Sequence, residues 1–187
     1  MDIEIAKRPM LGQTVCGDVA SVVHTNDGGV LIVLADGLGH GTKAHEAAEA
    51  FCVFAELHAT LPLEAIMRDG SRAIAATRGA AAALLRIGGG VSRFSFCGIG
   101  NIEVQANSAE AIRPICMPGI VGRPLRKVLS FDYALSSGDL LVAHTDGISS
   151  RFRLEEYAQL PTAEAAARLL AEHGKGHDDA TCIVIRA

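Results

Sequence analysis

The chain has 187 residues, 49% of them apolar and 20% charged, with a net charge of −4; this fits one domain with a real core and excludes wholesale disorder. No Lys/Arg run exceeds the pairs Lys7-Arg8 and Arg126-Lys127, only 4% of residues are aromatic and Trp is absent, which argues against a nucleic-acid binder. Charges or glycines cut every apolar run well short of the ~18 residues of a membrane span, and the acidic start Met1-Asp2-Ile3-Glu4 lacks a secretory signal pattern.

Taken in chain order, Ile3-Glu4-Ile5 alternates like a strand, and Val19–Thr25 is rich in β-branched residues. Asn26-Asp27-Gly28-Gly29 is a strong hairpin turn. The buried-strand run Val30–Ala35 follows and leads directly into Asp36-Gly37-Leu38-Gly39-His40-Gly41. Thr42 is placed to cap a helix reaching His58, with Ala44, Ala47, Ala48, Phe51, Phe54 and Ala55 on one face. Pro62 opens a second helix through Leu63, Ile66, Ile74 and Ala75. From Arg78 to Ile87 an alanine-rich stretch has helix propensity, yet it stands at hairpin distance from the strand-like Val91–Cys97, so a buried strand is expected. Further strands are expected at Ile102–Gln105, Ala111–Cys116, Val128–Leu135 and Asp139–His144. Short helices at Leu154–Gln159 and Ala163–Glu172 precede a last strand, Ala180–Ile185. Many short strands with grouped helices predict packed antiparallel sheets with helices outside. The odd set of cysteines, Cys16, Cys52, Cys97, Cys116 and Cys182, has no CxxC spacing and reads as free thiols of the core in a reducing cytoplasm.

Four acidic positions share one local grammar. Asp18 follows Gly17; Asp36 and Asp146 each end an apolar run and precede Gly; Asp178-Asp179 lead into the last strand. An Asp leaving a buried strand places its carboxylate at a sheet end, and the following Gly lets the backbone turn and approach a ligand. Several such carboxylates at one rim repel one another unless hard divalent cations neutralise them. With no HExxH and no Cys/His set, Mg²⁺ or Mn²⁺ is favoured over Zn²⁺.

Gly17-Asp18, Ala35-Asp36-Gly37-Leu38-Gly39-His40-Gly41, Gly98-Ile99-Gly100-Asn101-Ile102, Thr145-Asp146-Gly147-Ile148 and Asp178-Asp179-Ala180-Thr181 resemble the ordered motif set of PPM-type protein serine/threonine phosphatases. The similarity is greatest to their small bacterial branch of sporulation and stress-response enzymes, and it spans nearly the whole chain. It implies an α+β, αββα sandwich over residues 1–187, with two antiparallel sheets, helices on both outer faces and a cleft at one end. It also implies two Mn²⁺ or Mg²⁺ ions, bridged by Asp36, held in part by the Gly37 carbonyl and completed by Asp18, Asp146 and Asp178. A metal-activated water would then attack phosphoserine or phosphothreonine without a phosphoenzyme. His40 is a candidate acid for the leaving serine or a loop residue before the helix; His177 is a candidate donor or a partner that orients a ligand. Asp179 is expected to support the site by hydrogen bonding. Eukaryotic members carry an Arg shortly before the first acidic position. Gln13–Asp18 contains none, so phosphate binding is expected to rest mostly on the metals.

Arg123 and Arg126, in or beside the loop Pro118–Pro124, could form a docking surface; a solvated loop is the plainer account. By the same resemblance the partners are phosphorylated STAS-domain proteins of the stressosome or an anti-sigma pathway, met by a monomer in the cytoplasm without nucleic acid or membrane. The alternative is a catalytically weak pseudophosphatase that serves as a binding module. Retention of all four aspartates speaks for the enzyme.

Overall fold

Side-chain alternation along β-strands decides which layers form. The computed structural model describes residues 1–90 and 93–187. Its elements run β1 (Asp2–Arg8), β2 (Asp18–His24), β3 (Val30–Gly37), α1 (Thr42–Leu57), α2 (Leu63–Ala73), β4 (Ala80–Ile87), β5 (Arg93–Ile99), β6 (Glu103–Asn107), β7 (Phe131–Ala134), β8 (Leu140–His144), α3 (Thr162–His173) and β9 (Ala180–Arg186). One antiparallel sheet has the order β1-β9-β8-β6, the other β2-β3-β4-β5-β7.

Strand β3 shows why the sheets stack. Leu31, Val33 and Ala35 face Ala48, Phe51 and Ile66 of α1 and α2. The alternate residues Val30, Ile32 and Leu34 meet Leu141, Ala143, Ile183 and Ile185 of the second sheet. On the far side of that sheet Leu140, Val142, Cys182 and Val184 pack beneath Ala165, Ala166 and Leu169 of α3. This is the αββα sandwich. A strand buried on both faces has no polar face, which is why β3 reads as a continuous apolar run. Ala80–Ile87 is β4, paired to β3 from Val30↔Ile87 to Gly37↔Ala80; ladder bonds and burial override the helix propensity of its alanines.

Several local expectations are corrected. Ala111–Cys116 is not a strand, because Pro114 supplies no N–H to a ladder. Ile115 is left exposed, and the chain pairs with β5 through an isolated bridge from Met117 to Ile99. Within Val128–Leu135 only Phe131–Ala134 forms a strand. Leu154–Gln159 reduces to a single 3₁₀ turn, Leu154–Tyr157, which buries Leu154 and Tyr157. The N-cap of α1 is Gly41 rather than Thr42, and its carbonyl accepts from Ala44 and His45 at 3.1 and 3.0 Å. Val91 and Ser92, the start of one expected strand, lie outside the described residues.

All five cysteines are unbridged. Burial pushes the Cys16 thiol up to about 11 and those of Cys52, Cys97, Cys116 and Cys182 to about 12, so they act as small apolar groups rather than as thiolates. Among the described residues no helix is long and apolar enough to cross a membrane.

Candidate active site

Four strand ends meet at one end of the sandwich. Asp18 opens β2 and stands directly opposite Asp36 near the end of β3. Asp146 follows β8 by two residues, and Asp178-Asp179 immediately precede β9, the antiparallel neighbour of β8. Each sheet thus contributes two of the four expected aspartates. A cavity of about 220 Å³ is lined by Asp36, Asp146 and Asp178 together with His40, His177 and Asn101. Met10, Leu38, Gly39 and Ala81 complete its walls.

Asp18 lies beneath this cavity and is fully buried. Its Oδ2 accepts a 2.9 Å hydrogen bond from Thr145 Oγ1, and Oδ1 has no partner. Thr145 also accepts from the Thr181 N–H at 3.1 Å, so one hydroxyl ties the β8–β9 sheet to the first aspartate of the other sheet. Asp179 is buried as well. Its Oδ1 accepts from the Met10 N–H at 2.9 Å, while Oδ2 is unpartnered and lies 2.6 Å from where a β-carbon at Gly17 would stand. Gly37 packs on the first turn of α1, where a β-carbon would lie 1.9 Å from the Ala44 carbonyl oxygen. Only glycine permits that approach.

The electrostatics are those of crowded like charges. Burial first, and then the charges of Asp18, Asp146 and Asp178, push the Asp36 carboxyl well above the usual range. Burial also raises Asp18, while the hydrogen bond from Thr145 pulls it back. Asp178 is raised by burial and by Asp146. Such a group gains from any cation placed among its members. The donors are all oxygen, and the orphaned buried oxygens of Asp18 and Asp179 are unsatisfied without a positive partner. The residues therefore fit hard divalent cations. Among the described residues, no three His, Cys, Asp or Glu side chains are drawn to one point as they stand; the carboxylates face one cavity rather than one centre.

Both candidate histidines line that cavity. His40 sits between Gly39 and Gly41, both at positive φ (90° and 71°), on the loop joining β3 to α1. His177 precedes Asp178, whose Oδ1 accepts from the Asp179 N–H at 2.9 Å. Arg123 and Arg126 are not brought into the cavity. Arg123 spends its guanidinium on backbone, donating to the carbonyls of Gly122, Ala75, Thr77 and Arg78.

Three supporting groups escaped sequence reasoning. Asn101 Nδ2 donates to Asp146 Oδ2 at 2.7 Å, Lys175 Nζ donates to the Asp146 carbonyl at 2.5 Å, and Thr145 holds Asp18. Asn101 and Thr145 lie inside motifs already quoted, but their partners are distant in sequence and emerge only once the sheets stack. Thr145→Val leaves a buried carboxylate oxygen and the Thr181 N–H unpaired. It is expected to cost about 1–3 kcal/mol of stability, read from the midpoint of urea unfolding at constant slope.

No family model matches the chain. The phosphoserine phosphatase RsbX of Bacillus subtilis (strain 168) is 28% identical over 140 residues, covering 74% of this chain and 70% of that protein. A chain solved in work on the bacterial stressosome as a modular system adapted to control secondary messenger signalling is 33% identical; 98% of each chain superposes, with a TM-score of 0.92. The structure of RsbX in complex with magnesium is 25% identical with a TM-score of 0.84, covering 97% of this chain and 92% of that one. The phosphatase domain of SpoIIE from Bacillus subtilis, 19% identical with a TM-score of 0.67 over 99% of this chain and 91% of that one, shares the fold. With the ordered motifs gathered at one end of the same sandwich, the chain belongs to the PPM-type protein serine/threonine phosphatases, a family of hydrolases, within their RsbX-like bacterial branch.

Proposed function

We propose that this phosphatase is a single-domain, Mn²⁺- or Mg²⁺-dependent enzyme that removes phosphate from phosphoserine or phosphothreonine of STAS-domain proteins in a stressosome or anti-sigma pathway. The observation that carries the chemistry is the convergence of Asp36, Asp146 and Asp178 on one cavity, with Asp18 beneath it. Those four carboxylates and the Gly37 carbonyl are the groups that would hold two ions. When bound, these supply positive charge and an activated water for in-line attack on phosphorus.

The remaining work falls to the chain itself. Thr145 fixes the rotamer of Asp18 and Asn101 that of Asp146, so the carboxylates are positioned before substrate arrives. The Met10 N–H holds Asp179, whose own N–H donates to Asp178 Oδ1 at 2.9 Å. Leu38 and Met10 make part of the cavity wall apolar and limit free water around the phosphoryl group. A proton must reach the leaving seryl or threonyl oxygen, and His40 and His177 are the two imidazoles on the cavity wall.

The kinship with RsbX and with a chain solved in work on the bacterial stressosome supports the choice of partner. Phosphate release from intact phosphorylated STAS-domain proteins is expected to exceed release from short peptides carrying the same phosphoserine by about tenfold or more in kcat/KM, a difference of ~1.4 kcal/mol in transition-state binding. Inactivity on every phospho-STAS protein, alongside turnover of p-nitrophenyl phosphate, would remove the partner assignment and leave the chemistry standing.

A further inference from the structure

Residues 13–17, just ahead of Asp18, include no arginine, yet the structure gathers a set of cations beside the cavity from elsewhere in the chain. Two hollows flank Arg123. One of about 400 Å³ is lined by Arg68, Ser71, Arg72, Leu125 and Arg123 among others; one of about 460 Å³ is lined by Lys43, Glu46, Thr77, Arg78 and Arg123. They share Arg123 as a common wall and lie side by side as one grooved face. Lys43 pairs with Glu46 at 2.7 Å and Arg72 with Asp69 at 2.6 Å. Arg68, Arg78 and Arg123 have no carboxylate partner among the described residues. Arg68 donates to the Val128 carbonyl at 3.2 Å, and Arg123 donates to four carbonyls. These bonds fix the guanidinium planes without neutralising their charge. Three cations without an ion pair therefore lie on one face of a chain whose net charge is −4, with the Glu64 carboxylate in charge interaction with Arg68, and positive charge is in excess there against the average of the molecule.

The groove reaches the cavity. Arg78 Nη1 lies 3.0 Å from where a β-carbon on Gly39 would stand, and Gly39 lines the carboxylate cavity between Leu38 and His40. Leu38 and Ile120, 40% and 37% exposed, both approach Gly79 next to Arg78 and form an apolar step at the junction.

We propose that this groove receives an acidic segment of the phosphoprotein substrate, flanking the phosphoserine or phosphothreonine that enters the cavity. The proposal rests on the phosphatase reading above and adds a sequence preference to it. A compact free anion is the poorer occupant, because the guanidiniums of Arg68 and Arg123 turn toward backbone carbonyls instead of converging on one point. Carboxylates spaced along an extended segment match cations spaced along a groove. Arg78, nearest the cavity, reads the residues beside the phosphorylated position, and Arg68 and Arg72 read those farther out. Exposed pairs of this kind are individually weak and sensitive to salt, so the preference comes from several acting together.

The test uses three synthetic phosphoserine peptides of equal length, flanked by Glu, by Gln or by Lys, with Mn²⁺ at low ionic strength. The Glu peptide is expected to show kcat/KM about tenfold above the Gln peptide, with the Lys peptide below both, and 0.5 M NaCl should flatten the series. The double variant Arg72→Glu/Arg78→Glu is expected to reverse the order. Should it fold poorly, Arg78→Gln, which changes an exposed side chain with no ion pair, should still narrow the Glu-to-Gln ratio by about threefold. Equal rates on all three peptides, or the same preference in the variants as in the wild type, would overturn the groove while p-nitrophenyl phosphate turnover upheld the phosphatase. Loss of turnover on every peptide and on p-nitrophenyl phosphate would instead overturn the phosphatase reading, and the groove's role with it.

Discussion

Asp36→Asn is expected to lower phosphatase turnover by about a thousandfold, ~4 kcal/mol in barrier, to the level left by EDTA, while the metal-free variant melts at a higher temperature than the metal-free wild type. Both effects have one origin. Burial and its neighbours Asp18, Asp146 and Asp178 disfavour the Asp36 carboxylate as an anion. The same crowding makes its ionised form unfavourable in the empty site and makes the site attract cations. Asparagine keeps the shape and one acceptor oxygen but removes the charge. The metal-free gain is expected to be about 2–8 °C, corresponding to ~1–2 kcal/mol. Wild-type turnover on p-nitrophenyl phosphate should require Mn²⁺ or Mg²⁺ and disappear with chelator. Full turnover after dialysis against EDTA would sink the metal mechanism. A variant with near-wild-type kcat would reduce Asp36 to a turn residue, and a wild type inactive with every metal would favour the binding-module alternative.

What the sequence discloses depends on how far each feature reaches along the chain. Val30–Ala35 running into Asp36-Gly37 is local, and so is the hairpin turn, where Asp27 Oδ1 accepts from the Thr25 hydroxyl and the Gly29 N–H at 2.5 and 3.1 Å. Both were legible. β4 was legible only by weighing its tertiary setting against its alanines. Ala111–Cys116 misled because its apolar spacing imitates a strand; Pro114 breaks the ladder, and the Cys116 thiol bonds instead to the Ile102 carbonyl at 3.1 Å. The candidate metal residues could be picked out because each lies at or within two residues of a strand end, three of them beside glycine. Their unequal depths could not. Asp18 is buried and Asp146 exposed, since Asp18 lies under the Thr145 hydroxyl between the two sheets whereas Asp146 follows β8 at the rim. Pairs such as Thr145 with Asp18 and Asn101 with Asp146 are products of the stacked sheets, and no spacing within the chain encodes them. The basic groove is a sharper case. Arg68, Arg72, Arg78 and Arg123 are scattered singly along the sequence, so they never formed a run that composition could register.

His40→Ala is expected to slow hydrolysis of a phosphoserine peptide about a hundredfold while changing p-nitrophenyl phosphate turnover by no more than about threefold. A seryl oxygen leaves as a strongly basic alkoxide and gains greatly from a proton in the transition state. Nitrophenolate is stable as an anion and gains little. The asymmetry therefore isolates proton donation from damage to the site, which would depress both substrates together. His40 is favoured by its place: it lies on the short loop between Asp36-Gly37 and α1, and glycines on both sides at positive φ set its backbone toward the cavity. His177 is tied more closely to the acidic group, since it adjoins Asp178. His177→Ala is accordingly expected to lower turnover of both substrates by similar factors and to raise the Mn²⁺ concentration needed for half-maximal activity. If the two variants exchange these signatures, His177 is the donor and His40 the loop residue. If both lower the two substrates equally, the proton comes from neither imidazole, and water ordered in the cavity becomes the donor.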